Sequence, residues 1–346
     1  MLWNSSVRCC RRWRIECPPV NVSNDLNNCL HVFEKEIKQS QFADFALQAG
    51  IHFISNECKI LLFRTLFRNV RLHNSSISVA AVHHFAASFI LFHTLLMPGS
   101  RILVLSDLHA NATAFDAVLS AAEGRWDISV CLGDVVGYGP DPNEVTSNIR
   151  KLGSTTIRGN HDKAISGIMD TVDFNPVARA AVDWTRATLD PDHLSWLAAL
   201  SPGPFPSDGI VLIHGAYQDE DEYVFTPSQA MDGLLDSSSD ITFFGHTHHQ
   251  GGFSYLDSSV ELLQIRPRPS ESFTALRIEP GRRYLLNPGS VGQPRDGDPR
   301  AAFAIADLEH HTIEFWRVPY DIPAVQERMR AARLPEPLVL RLTLGR

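Results

Sequence analysis

The chain has 346 residues, 44% of them hydrophobic and 20% charged, and a formal net charge of −8. That length holds one large domain or two smaller ones, with ample apolar content for a core. The acidic balance and the lack of visible Lys/Arg clusters argue against a broad nucleic-acid surface, because phosphate backbones are drawn to basic patches.

Composition changes near Met97. Residues 1–96 hold one glycine, Gly50, five of the six cysteines, and ten Lys/Arg against six Asp/Glu. Residues 97–346 hold twenty glycines, the single Cys131, and 21 Lys/Arg against 33 Asp/Glu. The leading part shows no periodic organisation, and its cysteines lack zinc-type spacing, so neither metal nor disulfide is assigned to them. The apolar stretch from Ile77 to Met97 has the length of a bilayer span. His83, His84 and His93 interrupt it and argue against insertion. It also begins too late for a cleaved signal. Residues 1–96 are therefore expected to be an N-terminal extension, disordered or produced by a mis-assigned start, with Met97 as the real start. The expected location is cytoplasmic; an enzyme tethered to a membrane by residues 77–97 is the alternative.

From residue 101 onward, short β-branched runs alternate with helical patterns. Strands are expected at 102–105, 128–132, 155–158, 210–213 and 241–244. Helices are expected at 112–123, 143–152, 176–189, 191–200, 227–235 and 322–333, several with proline near the start. Further runs at 253–256, 260–265, 275–278, 284–286, 302–306 and 312–318 suggest a second sheet. The fold class is α/β, a four-layer α/β/β/α sandwich of two mixed sheets with helices outside. The domain is expected over 97–334, followed by a proline-broken tail at 335–346.

Each of the first five strands ends in small or turn-forming residues that carry metal-binding side chains. In order these are Asp107 and His109, Asp134, Asn160 beside His161, His214, then His246 and His248. Polar residues at the carboxyl ends of such strands line the crevice where open α/β sheets bind ligands. In an extended segment residues i and i+2 point the same way, so Asp107 with His109, and His246 with His248, are expected to reach a site as pairs. Carboxylate, imidazole and amide oxygen suit ions such as Mn, Fe, Zn or Co better than thiophilic ones. No cysteine belongs to the set, and Cys131 is expected to behave as a small buried hydrophobe.

The ordered pattern D-x-H, GD, GN-H-D, H, G-H-x-H resembles that of the calcineurin-like metallophosphoesterases, in particular a small bacterial phosphodiesterase-type branch. Asn287-Pro288-Gly289-Ser290 is similar to a late turn of that branch, so the likeness extends over residues 99–318. The resemblance implies two divalent metal ions, manganese first, with Fe, Zn, Ni or Co as alternatives. It places Asp107, His109 and His248 on one ion, Asn160, His214 and His246 on the other, and Asp134 between them. It makes His161 a non-ligand that reaches the leaving oxygen, as an imidazolium, with Asp162 orienting it or capping the next segment. Asp134 and His161 are thus the expected catalytic residues. Protein Ser/Thr phosphatases of this superfamily follow the GD with Asp-Arg-Gly, whereas this chain reads Gly133-Asp134-Val135-Val136-Gly137. That departure points to a small phosphodiester, phosphomonoester or dinucleoside polyphosphate. A catalytically silent metal-binding scaffold is the remaining alternative, although every ligand position is filled.

Beyond the ligands, Asn111 is expected either to bind a substrate phosphate or to cap the helix beginning near Ala112. Arg295 is expected either to reach a substrate phosphate as a fork donor or to be solvated. Tyr138 packs on a substrate base or closes a turn. Specificity is expected from the loops 137–143, 218–226 and 293–300, with Asp219-Glu220-Asp221-Glu222 either excluding anionic partners or forming a solvated loop. His193, His249, His310 and His311 are expected to be bystanders. The substrate is expected to be small and phosphorylated; oligomeric state is not legible.

Overall fold

The computed structural model describes residues 101–172 and 174–346. The expectations for residues 1–96, including the apolar stretch at 77–97 and the start at Met97, lie outside the described residues. Among the described residues, no helix is long and apolar enough to cross a membrane.

Among the described residues, twelve strands form two six-stranded sheets. The first has the order β3 (Thr155–Thr156), β2 (Ile128–Cys131), β1 (Arg101–Leu105), β11 (Ala301–Asp307), β12 (Thr312–Val318) and β9 (Phe273–Arg277). The second has the order β4 (Phe205–Ser207), β5 (Ile210–Leu212), β6 (Ile241–Phe243), β10 (Arg283–Asn287), β7 (Gly251–Leu256) and β8 (Ser259–Leu263). In the first, β1 to β3 run parallel and β11, β12 and β9 are antiparallel additions. In the second, β5, β6 and β10 are parallel. Both sheets are mixed, as expected for a four-layer sandwich.

Two expectations change. The strands after residue 250 do not build a separate sheet: β9, β11 and β12 extend the first, while β7, β8 and β10 extend the second. An alternating run records which faces are buried, not which sheet edge it joins. The residues expected to be a tail form a helix at Glu336–Leu344, because Pro337 stands in its first turn, where a missing N–H costs nothing. Its Leu338, Val339 and Leu342 are buried.

Period-two alternation sorts β1 between two cores. Ile102 and Val104 join Val130, Leu212, Phe243 and Leu286 in the inter-sheet core. Leu103 and Leu105 face the helices, with Phe115 and Val118 of α1 (Ala112–Ala122) and Val145 and Ile149 of α2 (Pro142–Leu152). A strand buried on both faces reads as a continuous apolar run, which is why β1 shows no polar break. Cys131 also lies in the helix-facing core, its thiol pushed up by burial. α3 (Asn160–Ser166), α4 (Pro176–Thr188) and α5 (Pro191–Ala198) complete this outer layer. α6 (Pro227–Leu235) covers the second sheet through Ala230 and Leu234. α7 (Ile322–Ala331) and the C-terminal helix α8 (Glu336–Leu344) pack with α4 and Tyr138 in a further apolar cluster.

Candidate metal centre

The candidate ligands sit just past the carboxyl ends of β1, β2, β3, β5 and β6, where the parallel parts of both sheets open. The backbone there is not extended. Asp107, His109, Asp134, His246 and His248 all have φ between 45° and 63°. A non-glycine residue in the left-handed region costs about 1–2 kcal/mol, and surrounding structure must hold it. The hydrogen bonds Asp107 N to Gly133 O, His109 N to Asp134 O and Ala110 N to Val135 O do so at 2.9 to 3.0 Å, zipping the β1 loop onto the β2 loop. The expected i, i+2 pairing therefore fails as a mechanism, since the strands end before the ligands begin. His246 and His248 in fact diverge into different groups.

Two groups result. Ligand atoms of Asp107, His109, Asp134 and His248 lie within 4.8 Å of one another, and so do those of Asp134, His214 and His246; all six residues are buried. Asp134 belongs to both groups, its Oδ2 standing 3.6 Å from His109 Nε2 and 3.6 Å from His214 Nε2. Its Oδ1 accepts from His161 N at 2.8 Å. Asn160 Oδ1 lies 3.3 Å from His214 Nε2, which adds the half-buried amide to the second group.

Three imidazoles are oriented by main-chain carbonyls. His109 Nδ1 faces Val136 O at 3.3 Å, His214 Nδ1 faces Leu132 O at 2.7 Å, and His248 Nδ1 faces Gln293 O at 2.5 Å. A carbonyl only accepts, so each Nδ1 carries a proton; the neutral rings of His109 and His248 then turn an Nε2 lone pair inward, whereas the His214 ring, charged beside Asp134, turns an Nε2 proton inward. His109 Nε2 and His248 Nε2 then point at each other from 3.1 Å, and His248 Nε2 is 3.2 Å from Asp107 Oδ1. Two lone pairs and a carboxylate converging in a buried space repel one another unless a cation lies among them. Asp134 Oδ2 adds to this as a buried oxygen with no hydrogen-bond partner among the described residues. The donor set therefore fits divalent metal on its own chemistry.

The electrostatics agree. Burial alone would raise Asp107 and Asp134, but the surrounding imidazoles overcome it and hold both carboxyls well below their ordinary range. Burial pushes His109 and His248 down and takes His246 to about 3. His214 goes the other way, to about 10, because Asp134 and Asp107 outweigh its burial. Among the candidate ligands it is the one whose proton a metal ion would have to displace.

Close approach of the two sheets leaves no room for side chains at two glycines. A Cβ on Gly159 would sit 2.2 Å from Asp134 Oδ1 and 2.6 Å from His214 Cε1. One on Gly245 would sit 2.2 Å from Ser106 Oγ and 3.0 Å from Asp107 Oδ2.

Other candidates resolve as follows. Asn111 is the cap: its Oδ1 accepts from Ala114 N at 3.1 Å and its Nδ2 donates to Gly292 O at 3.0 Å, at 1% exposure. Its amide is thus turned into the protein and not toward a substrate phosphate. Tyr138 lies over His161 with ring centroids 4.2 Å apart and over His109 at 4.7 Å. Arg295 stands at the edge of the centre, its guanidinium 5.6 Å from the Tyr138 ring centroid. His161 is buried, its Nδ1 has no hydrogen-bond partner among the described residues, and burial takes it down to about 4. That opposes the expected imidazolium. Asp162 does not orient it: the carboxylate accepts from Gly159 N and Val136 N, which caps α3 and ties it to the β2 loop. The acidic run is not simply solvated, because Glu220 pairs with Arg158 and Lys163, and Asp221 with Lys163. His249, His310 and His311 are exposed, and His193 is half-buried beside Asn143, 3.3 Å from its Oδ1.

Several contributors have no signal in the pattern of ligands. Ser106 Oγ donates to Asp107 Oδ2 at 2.5 Å, and Ser290 Oγ donates to Asp107 O at 2.8 Å. Asn287 Nδ2 reaches Gly245 O and Thr247 Oγ1, fixing the β6 loop. Tyr223 stacks on His246 with centroids 4.0 Å apart and planes 18° apart. The late Asn287-Pro288-Gly289-Ser290 turn was the only hint of this outer shell.

A family model for the calcineurin-like phosphoesterase superfamily domain matches residues 101–311. An uncharacterised protein of Methanocaldococcus jannaschii is 34% identical over 254 residues, covering 72% of this chain and all of that protein. The crystal structure of a metallophosphoesterase from Sphaerobacter thermophilus is 38% identical, with a TM-score of 0.61 over 72% of this chain and 100% of that one. A hypothetical protein of Pyrococcus horikoshii shares the fold at 19% identity and a TM-score of 0.59, over 71% of this chain and 98% of that one. With the family model spanning most of the chain and the buried Asp/His cluster at its centre, the chain belongs to the calcineurin-like phosphoesterase superfamily and is a hydrolase of phosphoric ester bonds.

Proposed function

We propose that the centre holds two adjacent divalent ions, manganese first, and hydrolyses a small phosphomonoester, phosphodiester or dinucleoside polyphosphate. Asp107, His109 and His248 would hold one ion, Asn160, His214 and His246 the other, and Asp134, which belongs to both groups, would serve both. The observation that carries this is the inward convergence of the His109, His248 and His214 Nε2 atoms on either side of the unpartnered Asp134 Oδ2. Bound ions at such a site supply Lewis acidity, lowering the pKa of a water and holding phosphoryl oxygens for in-line attack.

The side chains have distinct tasks. Asp134 places negative charge between the two ligand groups, which limits their mutual repulsion. His161, kept neutral by burial, donates a hydrogen bond to the leaving oxygen instead of arriving as a cation. Arg295, at the edge of the centre, offers its guanidinium to an acidic group of the substrate. Tyr138, packed on His161 and His109, fixes both rings against rotation.

The test is a panel of p-nitrophenyl phosphate, bis-p-nitrophenyl phosphate, cyclic nucleotides and diadenosine polyphosphates, each with Mn, Ni, Co, Zn and Mg. Metal-dependent turnover that collapses in Asp134→Asn is expected. Turnover indifferent to both metal and this substitution would refute the proposal.

A further inference from the structure

Arg295 and Arg341 come from opposite sides of one seam. Arg295 lies in the loop after β10, and its backbone N donates to His248 O at 3.3 Å, so it moves with a candidate ligand. That loop is anchored beneath by the Asp296 carboxylate, which pairs with the buried Arg317 and accepts from Gln250 N at 3.1 Å. Arg341 lies on α8, outside the residues the family model matches. Loop and helix are joined directly: Gly297 N donates to Gly345 O at 2.9 Å, and a Cβ on Gly345 would sit 2.8 Å from the Asp298 backbone.

The two guanidinium groups share one neutral acceptor. Arg295 donates to Gln293 Oε1 from Nε and Nη2 at 3.3 and 3.0 Å, and Arg341 donates to the same oxygen from Nη1 at 3.3 Å. Both are half-buried, and among the described residues neither has a carboxylate within ion-pair distance. Two cations held together on a neutral amide are unfavourable alone and favourable around an anion, which forks of this kind bind in bidentate fashion. The neighbouring arginines behave differently: Arg300 and Arg317 are neutralised by Asp298 and Asp296. Of the unneutralised pair, Arg295 lies against Tyr138, its guanidinium 5.6 Å from that ring's centroid, beside the candidate metal centre.

We propose that Arg295 and Arg341 form a second anion subsite, which selects phosphoesters bearing a further acidic group, carboxylate or phosphate, beyond the scissile ester. The inference rests on the reading of the centre as a phosphoester site and adds the C-terminal helix to its specificity machinery. The chemistry is recognition only, and no bond is made or broken at the pair.

Calorimetric binding to the full-length Mn-loaded protein tests it without needing turnover. The probes are ω-carboxyalkylphosphonates and alkane bisphosphonates of increasing chain length, each against the alkylphosphonate of equal length. At the best length an acidic probe is expected to bind at least about tenfold tighter than its neutral partner, in line with charge-assisted bonds. Which acidic series wins identifies the second group. Arg341→Gln is expected to bring the ratio close to one; Arg295→Gln, in a loop, carries the same expectation if R341Q does not fold. Equal binding of acidic and neutral probes, or a ratio that survives the substitutions, overturns the subsite alone. Binding of no phosphonate at all overturns the phosphoester reading with it.

Discussion

The two halves of the candidate metal centre are built to different standards. Around Asp107, His109 and His248, every candidate ligand is at most 1% exposed, two rings are locked by carbonyls, and Ser106 and Ser290 brace the Asp107 loop. Around Asn160, His214 and His246, the amide is half-buried, and His246 Nε2 rests 3.1 Å from Asp221 O under Tyr223, whose side is 41% exposed. The first half is pre-organised by the sandwich interior, whereas the second leans on the 217–226 loop. Organisation by packed strands costs less on binding than organisation by a loop, so the halves should differ in affinity.

Removing what they share gives the largest effect. Asp134→Asn should lower metal-dependent turnover by more than about a hundredfold, since even outer partners of metal ligands cost about 10–100-fold. Steady-state kinetics at saturating Mn would show it. Next, metal release into a chelator should proceed in two steps. His246→Gln should abolish the easier step and His109→Gln the harder one, with affinity losses of about 10–100-fold at the affected half; one step in the parent protein would erase the contrast.

Gly159→Ala strikes the seam between the halves. Its new methyl has no space against Asp134 and His214, so a loss of about 3 kcal/mol is expected from thermal or urea unfolding, within the range for overpacking. Tyr223→Ala should weaken only the second half, by less than about 1 kcal/mol, because it removes one partly exposed ring contact. A comparable loss at the first half would show that the loop serves both.

The smallest effect concerns pH. Burial would raise the Glu220 carboxyl, but hydrogen bonds from Arg158 and Lys163 hold it below its ordinary value. A folded pKa below the unfolded one adds stability above the unfolded carboxylate pKa of about 4.3, and this is lost as pH falls through the lower folded value. Glu220→Gln should therefore flatten the acid limb of the stability curve, by less than about 1 kcal/mol given partial exposure.

The candidate ligands are legible because each follows a β-branched run that must be buried, and because turn residues at those strand ends are too polar to be idle. How they converge was not. Left-handed backbone at Asp107, His109, Asp134, His246 and His248 depends on bonds between loops far apart in sequence. The same limit hid the split of the late strands between two sheets. It also hid α8: a stretch opened by two prolines reads as broken, yet Leu338, Val339 and Leu342 find a waiting apolar cluster. The sequence leaves Asp162 two roles, and only the Gly159 and Val136 contacts decide between them.

Anomalous diffraction from crystals of the manganese-reconstituted protein tests the central claim most directly. Two peaks about 3.5–4 Å apart are expected, one on each side of Asp134 Oδ2, with the Asp107 side at full occupancy first. A single peak, or peaks that leave Asp134 unshared, would contradict the account.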